Sequence, residues 1–520
     1  MVKHLVPDRV FNVERQVFMF EFGNILGSIF TVGNLALAVF GVFVGILFGG
    51  LPGFSGSMAI AVLLPLTFNM SPISGLILLG AVYNGSMYGG SISAILINTP
   101  GTPAAAATML DGYPMAQNGR AGEALQESIV ASFIGGIIGV VVLLFLSPPL
   151  AKVSLMFGSP EYLLLAIFGL TIIASISEKS MIKGLLAGLF GLVIAMIGTD
   201  PLLGIPRFTM GMLNLIDGIE LIPALIGFYA IPEVFNIVNS YDKNEVVEKV
   251  NIKGIKVGFP TIKHVIKFMP IYLRSSAIGT FVGILPGAGG SIASFLSYNE
   301  TRRASKYPDK FGTGIPEGVA AAEASNNAVA GGSLIPMLTL GVPGNSVSAI
   351  MMGGLMIHGL QPGGELFAAN GNIVYAFIIS LFISNIIMLL FGIFCAPYFT
   401  LVNGVQKHIL AGAIVLFTVI GAYALRGSMF DVYVMIFFGI VGYMLKYLGF
   451  EMTPIVLGLI LGTIAENGFN QTMSITNGQN VLGYIFSRPI SVVLIVLTLA
   501  SILVPMRRMY KAKKTEKKLA

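Results

Sequence analysis

The sequence predicts an all-α polytopic membrane protein made of two homologous repeats, each interrupted by broken or re-entrant helices rich in glycine and proline. Three observations predict it: a composition too apolar for a water-soluble surface, apolar runs that recur from one end to the other, and a pair of Gly-Pro motifs that appears twice in the same order.

Hydrophobic residues are 55% of the 520 and charged residues only 10%, with a mean hydropathy of +0.86. A soluble domain carries about 25% charged residues, so a large water-soluble enzyme is excluded. Runs such as YLLLAIFGLTIIAS, VYAFIISLFISNIIMLLFGIFCAP and SVVLIVLTLASILVPM punctuate the chain. A helix crossing a hydrocarbon core of about 30 Å needs roughly 20 mostly apolar residues, which leaves room for about ten to twelve spans of a lipid bilayer. No charged n-region, apolar h-region and small-residue cleavage site opens the sequence, so the first apolar stretch reads as a retained span.

The chain holds 64 glycines and 26 prolines. They cluster where apolar character is interrupted, at GGLPGFSGS, YGGSISAILINTPGTP, GILPGAGGSIASFLS and GGSLIPMLTLGVPGNSVSA. Glycine reaches backbone conformations other residues avoid and proline removes an amide donor, so these stretches predict broken helices or hairpin tips. Unpaired backbone survives at membrane depth only when packed inside protein or lining a polar cavity. All four stretches therefore belong in the interior, near one another. FVGILFGGLPGFSGSMA matches FVGILPGAGGSIA once four residues are dropped, and GGSISAILINTPG matches GGSLIPMLTLGVPG with one extra residue in the second copy. Many secondary transporters show such duplication, with the site where broken helices of the two halves meet.

Charge marks the boundaries. Residues 1–240 read as an N-terminal transmembrane repeat, 241–265 as a cytoplasmic linker, 266–505 as a C-terminal transmembrane repeat with extra helices, and 506–520 as a basic cytoplasmic tail. Lys243, Lys249, Lys253, Lys256 and Lys263 in the linker, and Arg507, Arg508, Lys511, Lys513 and Lys514 in the tail, favour the cytoplasm. A basic tail abutting a span reads as an anchor and not as a nucleic-acid-binding segment. Cys395 lies alone among apolar neighbours and His4, His264, His358 and His408 are scattered, so neither a metal site nor a cofactor is expected.

A carboxylate held inside such a protein needs donors that replace water. Backbone amides at helix N-termini and Ser, Thr or Asn side chains supply them. Ser55, Ser57, Ser91, Asn98 and Thr99 fit this role in the first half, and Ser291, Thr339, Asn345 and Ser346 in the second. Small residues also permit close helix packing, which is the simpler account of an isolated serine; it weakens where Ser or Asn adjoins Pro-Gly. The stretch PEGVAAAEASNNAVAGG holds Glu323, Asn326 and Asn327. Ionisable groups at membrane depth suit a coupling sodium ion or proton, with Thr339 as a further oxygen, whereas Glu323 in an aqueous vestibule is the alternative. Asp111 and Arg120 either hold a turn together, guide substrate, or sit in a solvated loop. No dinucleotide glycine fingerprint, Walker lysine or HExxH occurs. Two classes remain: a secondary carrier of small carboxylates, and a membrane-embedded enzyme acting on a lipid-linked substrate. The enzyme would need a charged catalytic cluster, and the helix breaks carry neutral donors instead.

At the paired Gly-Pro motifs the sequence resembles the large permease subunit of the tripartite tricarboxylate transporters, the TctA family. The resemblance covers nearly the whole chain and rests on GGLPGFSG, YNGSMYGGSISAILINTPGTPAAAATMLDGYPMA, GILPGAGGSIASFLSY, EGVAAAEASNNAVAGGSLIPMLTLGVPG and HGLQPG, long motifs in the family's order. Ala322 departs from it, since the family usually has proline there. The resemblance implies uptake of citrate or other di- and tricarboxylates driven by a cation gradient. It also implies a small membrane subunit resembling TctB, an extracytoplasmic solute-binding protein resembling TctC, and a place in the cell membrane, the inner one in a Gram-negative cell. Binding roles then fall on Gly53, Ser55, Asn98, Pro100, Gly101, Gly287, Gly289, Asn326, Asn327, Pro343 and Gly344.

Overall fold

The computed structural model describes residues 22–176, 181–239, 255–287, 289–401 and 407–503. Most of the expected linker and the whole basic tail lie outside the described residues. The chain is helical almost throughout. In the first half, α1 (Phe22–Ile29) leads into α2 (Val32–Gly50), which breaks at 51–55 before α3 (Gly56–Leu63). Next, α4 (Pro72–Ile97) breaks at 98–102 before α5 (Ala106–Met115), and the long α6 (Ala121–Ser154) follows. The pair α7 (Ser159–Ile176) and α8 (Met181–Ala195), then α9 (Leu221–Tyr229) and α10 (Ile231–Asn239), complete it.

The second half repeats this order. Helix α11 (Ile262–Ile284) breaks before α12 (Gly289–Ala304), and α13 (Pro316–Leu340) breaks at 341–345 before α14 (Ser346–Ile357). The long α15 (Gly364–Phe399), α16 (Lys407–Arg426), α17 (Met429–Tyr447), α18 (Met452–Ile475), the short α19 (Val481–Phe486) and α20 (Pro489–Leu503) follow. A two-stranded antiparallel hairpin, β1 (Gly198–Thr199) with β2 (Pro206–Arg207), sits between α8 and α9.

Local chemistry sets the ends of these helices. Thr31, Ser71 and Thr261 are N-caps whose hydroxyls accept from the amides of Asn34, Ser74 and His264, each satisfying one orphan donor of the first turn. Helices α4 and α13 stop where the chain turns left-handed, at Asn98 (φ 53°) and Gly341 (φ 69°), residue types that tolerate that region.

Seven helical stretches among the described residues are long and apolar enough to cross a membrane. Helices α4, α11 and α13 exceed the needed length but are not among them. In α4 and α13 the glycines, serines and asparagines that lower hydropathy belong to the interior, since all of α13 from Gly318 to Thr339 is buried, as is nearly all of α4; α11 buries only one face and is lowered by Lys263, Lys267 and Arg274. Hydropathy alone therefore passes over long helices that pack beside the site.

The direction of packing relates the halves. Helices α2 and α4 run side by side, with Gly45 facing the Val82 carbonyl and Gly49 that of Ser86. Helices α11 and α13 do the same, with Gly279 against the Ser325 carbonyl and Gly283 against that of Val329. The corresponding helices α4 and α13 cross antiparallel: Tyr83 Oη bonds Ser333 Oγ at 2.9 Å, and Asn326 Nδ2 donates to the Met87 carbonyl at 2.9 Å. Equivalent elements thus point in opposite senses. Each half also lends its long helix to the other. Gly135 and Gly139 of α6 lie on Ala324 and Ala328 of α13, while α15 packs Phe377 over Gly80 and accepts Asn84 Nδ2 at the Leu381 carbonyl, 3.2 Å.

One end of the bundle gathers the exits to the linker and the tail. Asn239 bonds Tyr443, Glu233 pairs with Lys446, and Lys183 at the start of α8 reaches the Leu448 carbonyl at 2.6 Å. Helix α20 runs alongside α7, from Arg488 on Glu161 (2.6 Å) to Ser501 on Thr171 (2.9 Å), so it ends where α7 ends and α8 begins. The β-hairpin lies at the opposite end, pinned by Arg207 to Asp200 and to Glu466 of α18.

The glycine contacts generate the first prediction. A Cβ on Gly45 would lie 2.3 Å from the Val82 carbonyl oxygen, whereas one on Gly412 would meet nothing within 4 Å. Gly45→Val should lower the melting temperature of the purified protein by the equivalent of about 1–3 kcal/mol or prevent folding. Gly412→Ala, which gains helix propensity, should melt at or above the wild-type temperature. Thermal denaturation monitored by fluorescence-detected size exclusion reads both, and equal melting would refute the close packing of α2 on α4.

Candidate substrate site at the helix breaks

The four breaks form a closed ring. After α4 ends, the chain doubles back so that the Gly101 amide bonds the Gly90 carbonyl at 3.3 Å; after α13 the Gly344 amide bonds the Ser333 carbonyl, also at 3.3 Å. Only glycine fits either place. A Cβ would sit 2.0 Å from the Gly49 carbonyl oxygen at Gly101, and 2.4 Å from that of Gly283 at Gly344. The first break is thereby locked to the second and the third to the fourth, the latter pair also by the Gly287 amide on the Gly344 carbonyl at 2.7 Å. Across the halves, Gly56 lies beside Ser86 and Val347, and Gly290 beside Met87, Ala104 and Asn326. Ser86 and Met87 are neighbours on α4, so both cross-half contacts occur at one level.

Helices α3, α12 and α14 start at this ring, as does the short turn at Pro103–Ala105 that leads into α5. Helix N-termini carry unpaired amide donors and a partial positive charge, so several facing one place favour an anion. The side chains there are partly committed. Ser55 Oγ accepts from the Met58 amide at 3.2 Å and bonds Ser57 Oγ at 2.9 Å. Asn345 caps α14 in a reciprocal box with Ser348 and donates to Tyr83 Oη at 2.7 Å.

The sequence-predicted residues divide. At the ring lie Gly53, exposed at the first tip with φ 88°, Gly287 and Gly289 at the third, and Pro100, Gly101, Pro343 and Gly344 at the folded-back segments. Ser57, Ser291, Asn345 and Ser346 occupy first turns or caps of the helices that start there. Four others are engaged elsewhere. Asn98 and Thr99 are exposed at the end of α4, where Asn98 supplies the left-handed cap. Ser91 is buried and turned to α6, bonding Ser128 Oγ at 2.7 Å, and Thr339 Oγ1 donates back to the Ile335 carbonyl at 2.7 Å.

A buried carboxylate lies next to the ring. Glu323 is fully buried and accepts from Thr108 Oγ1 of α5 and from Ser132 Oγ of α6 at 2.9 Å. Asn327 Nδ2 donates to the Glu323 carbonyl at 3.1 Å and lies 3.5 Å from its carboxylate. Asn326 Oδ1, beside Gly290, is buried without a partner among the described residues. Five carboxylates are buried among the described residues: Asp111, Glu127, Glu161, Glu323 and Asp431. Arg426 forks onto Asp431 and Arg488 holds Glu161. Asp111 accepts the amides of Gly312, Gly314 and Ile315 at 2.8–3.1 Å and the Tyr298 hydroxyl at 2.8 Å. Among the described residues, Glu323 has only neutral hydroxyls and an amide.

Sequence reasoning missed Thr108, Ser132 and Tyr83. Asp111 and Arg120 hold a turn: Arg120 pairs with Glu123 at 2.7 Å and donates to the Gly314 carbonyl at 3.1 Å, so both residues fasten α5 and its kink to the start of α13. Apart from Glu123, their partners lie far along the chain, and spacing alone carries no sign of them.

Comparison with known proteins shows the family. The model of the tripartite tricarboxylate transporter TctA family matches residues 35–457. A curated relative from Agrobacterium vitis, described as an uncharacterized 52.8 kDa protein in the TAR-I ttuC' 3' region, is 36% identical over 92% of this chain and 95% of its own length. Another from the same organism, an uncharacterized protein in the TAR-II ttuC' 3' region, is 36% identical over 39% of this chain and 83% of its own length. No solved structure matches. The chain is thus a multi-pass membrane protein that belongs to the tripartite tricarboxylate transporter TctA family, a family of transporters and not of enzymes.

Proposed function

We propose that this chain is the large membrane subunit of a cation-coupled uptake system for small di- or tricarboxylates, citrate among the candidates. The convergence of helix N-termini from both halves on the four-break ring carries the proposal. A solute with two or three carboxylates offers more oxygens than one helix end can satisfy, so amides from α3, α12, α14 and the turn before α5 suit it better than a site in one half. Family membership supports two further assignments: a small membrane subunit resembling TctB beside the chain, and an extracytoplasmic protein resembling TctC that delivers the solute. Lys256 and Lys263 adjoin the linker end of the bundle, which favours a cytoplasmic position for that end and an extracytoplasmic one for the β-hairpin, in the inner membrane of a Gram-negative cell.

Glu323 is the coupling group in this reading. A buried carboxylate without a fixed countercharge is costly unless it takes up a proton or a cation. Asn327, Thr108 and Ser132 would hold a sodium ion or proton there, close enough to the ring for occupancy of one site to affect the other.

Two outcomes are expected with the reconstituted three-component system and radiolabelled citrate. Gly101→Val and Gly344→Val should each reduce uptake by more than about tenfold through overpacking, while Leu497→Val is tolerated. In a variant with Cys395 replaced, single cysteines at Ser291 and Ser346 should both be shielded from a small polar thiol reagent by saturating citrate. Shielding at only one, in protein that still transports, would confine the site to one half. Separately, Asn327→Ala should raise the sodium or proton concentration for half-maximal uptake by about tenfold, the equivalent of ~1.4 kcal/mol of lost cation affinity. An unchanged cation dependence at full transport would return Asn327 to a packing role.

A further inference from the structure

Glu127 is, with Glu323, one of two buried carboxylates among the described residues held neither by an arginine nor by backbone amides. It lies on α6, 1% exposed, and takes the Tyr272 hydroxyl at 2.7 Å on one oxygen and His264 Nε2 at 2.6 Å on the other. Both partners belong to α11, so the cluster joins the two halves. His264 stacks on Phe268 with ring centroids 4.5 Å apart and keeps 31% of its side chain exposed. The charged groups nearest it are Glu123 and Glu127 from α6 and Lys267 from its own helix, with Glu123 already held by Arg120. The cluster is therefore open to water on the His264 side and closed on the Glu127 side.

It lies at the linker end of the bundle, since α11 starts in the last residues of the expected linker and Gly122 of α6 abuts the Lys256 carbonyl. Going inward from it, polar groups continue on both flanking helices. On α6, Ser128 bonds Ser91, and Ser132, one turn further on, donates to Glu323. On α11, Ser275 and Ser276 follow Tyr272 within about one turn, and both hydroxyls are buried without a partner among the described residues. Buried hydroxyls are nearly always paired or hydrated. A seam of such groups between two buried carboxylates is an expensive way to fill space and a serviceable way to move a proton.

We propose that Glu127 is a proton-transfer residue linking Glu323 to water at the linker end of the molecule. The inference rests on the reading of Glu323 as the coupling group. In the transfer, the Glu323 O–H bond breaks and hydroxyls of the seam accept and release the proton in turn. The Glu127 carboxylate receives it, and His264 passes one to solvent. No electrons move and no co-reactant is required.

The test needs no substrate. Infrared spectroscopy of the full-length protein in sodium-free liposomes resolves protonated buried carboxyls by their C=O stretch, and the band missing in Glu323→Gln belongs to Glu323. On exchange from H2O to D2O this band shifts at the rate at which protons reach the site. Glu127→Gln, nearly isosteric, should slow that shift by at least about tenfold. Tyr272→Phe, which keeps the packing and leaves Glu127 with His264 alone, should slow it less. If Glu127→Gln does not fold, the Tyr272→Phe and His264→Gln variants decide. An unchanged rate in folded Glu127→Gln, or in both substitutes, overturns the relay and leaves Glu323 as the coupling group. Loss of no band in Glu323→Gln overturns the coupling reading beneath it.

Discussion

Two helices that face each other with glycine at the contact can approach until carbonyl oxygen and Cα are in van der Waals contact, and this molecule uses that contact along its paired helices and at the Gly101 and Gly344 breaks. Peptide groups released at a break have no lipid to bond with, so each break survives only by reaching another backbone. Gly101 does so at Gly90 and Gly49, and Gly344 at Ser333 and Gly283. A single methyl group at either position would separate the strands of chain that satisfy each other. The ring of helix ends, and any anion chemistry there, depends on this contact.

The same constraint explains which parts were legible beforehand. Clusters of glycine and proline in an apolar chain mark breaks whatever their partners, and the recurrence of GGS and PG in both halves showed that the breaks correspond. Placement of individual side chains was less legible. Asn98 is chosen for a left-handed cap that Gly341 fills in the other half, and nothing in NTPG distinguishes a cap from a ligand. Thr108 and Ser132 looked like ordinary small residues until folding brought them to Glu323 from two different helices. Contacts of that kind are properties of the crossing between α5, α6 and α13, which local spacing does not encode.

Buried charge is handled in three distinct ways. Asp431 and Glu161 are neutralised by arginine, a permanent partner. Asp111 is held by backbone amides at the start of α13, which fixes one half against the other without a second charge. Glu323 and Glu127 are left to groups that can exchange protons or yield to a cation. The first two arrangements hold a carboxylate in one state, and the third leaves its state free to change.

The exchange of long helices between the halves bears on how the chain is made. A ribosome delivers α2 to α10 to the bilayer before α11 exists. Until then α6 has no α13 to cover Ser132, Gly135 and Gly139, and α4 has neither α13 nor α15. The first half would therefore wait in the membrane with a polar, notched surface turned toward lipid or toward the insertion machinery. Neither half is a folding unit in its own right, and biogenesis becomes a single late event, in which the second half enters upside down and closes the first.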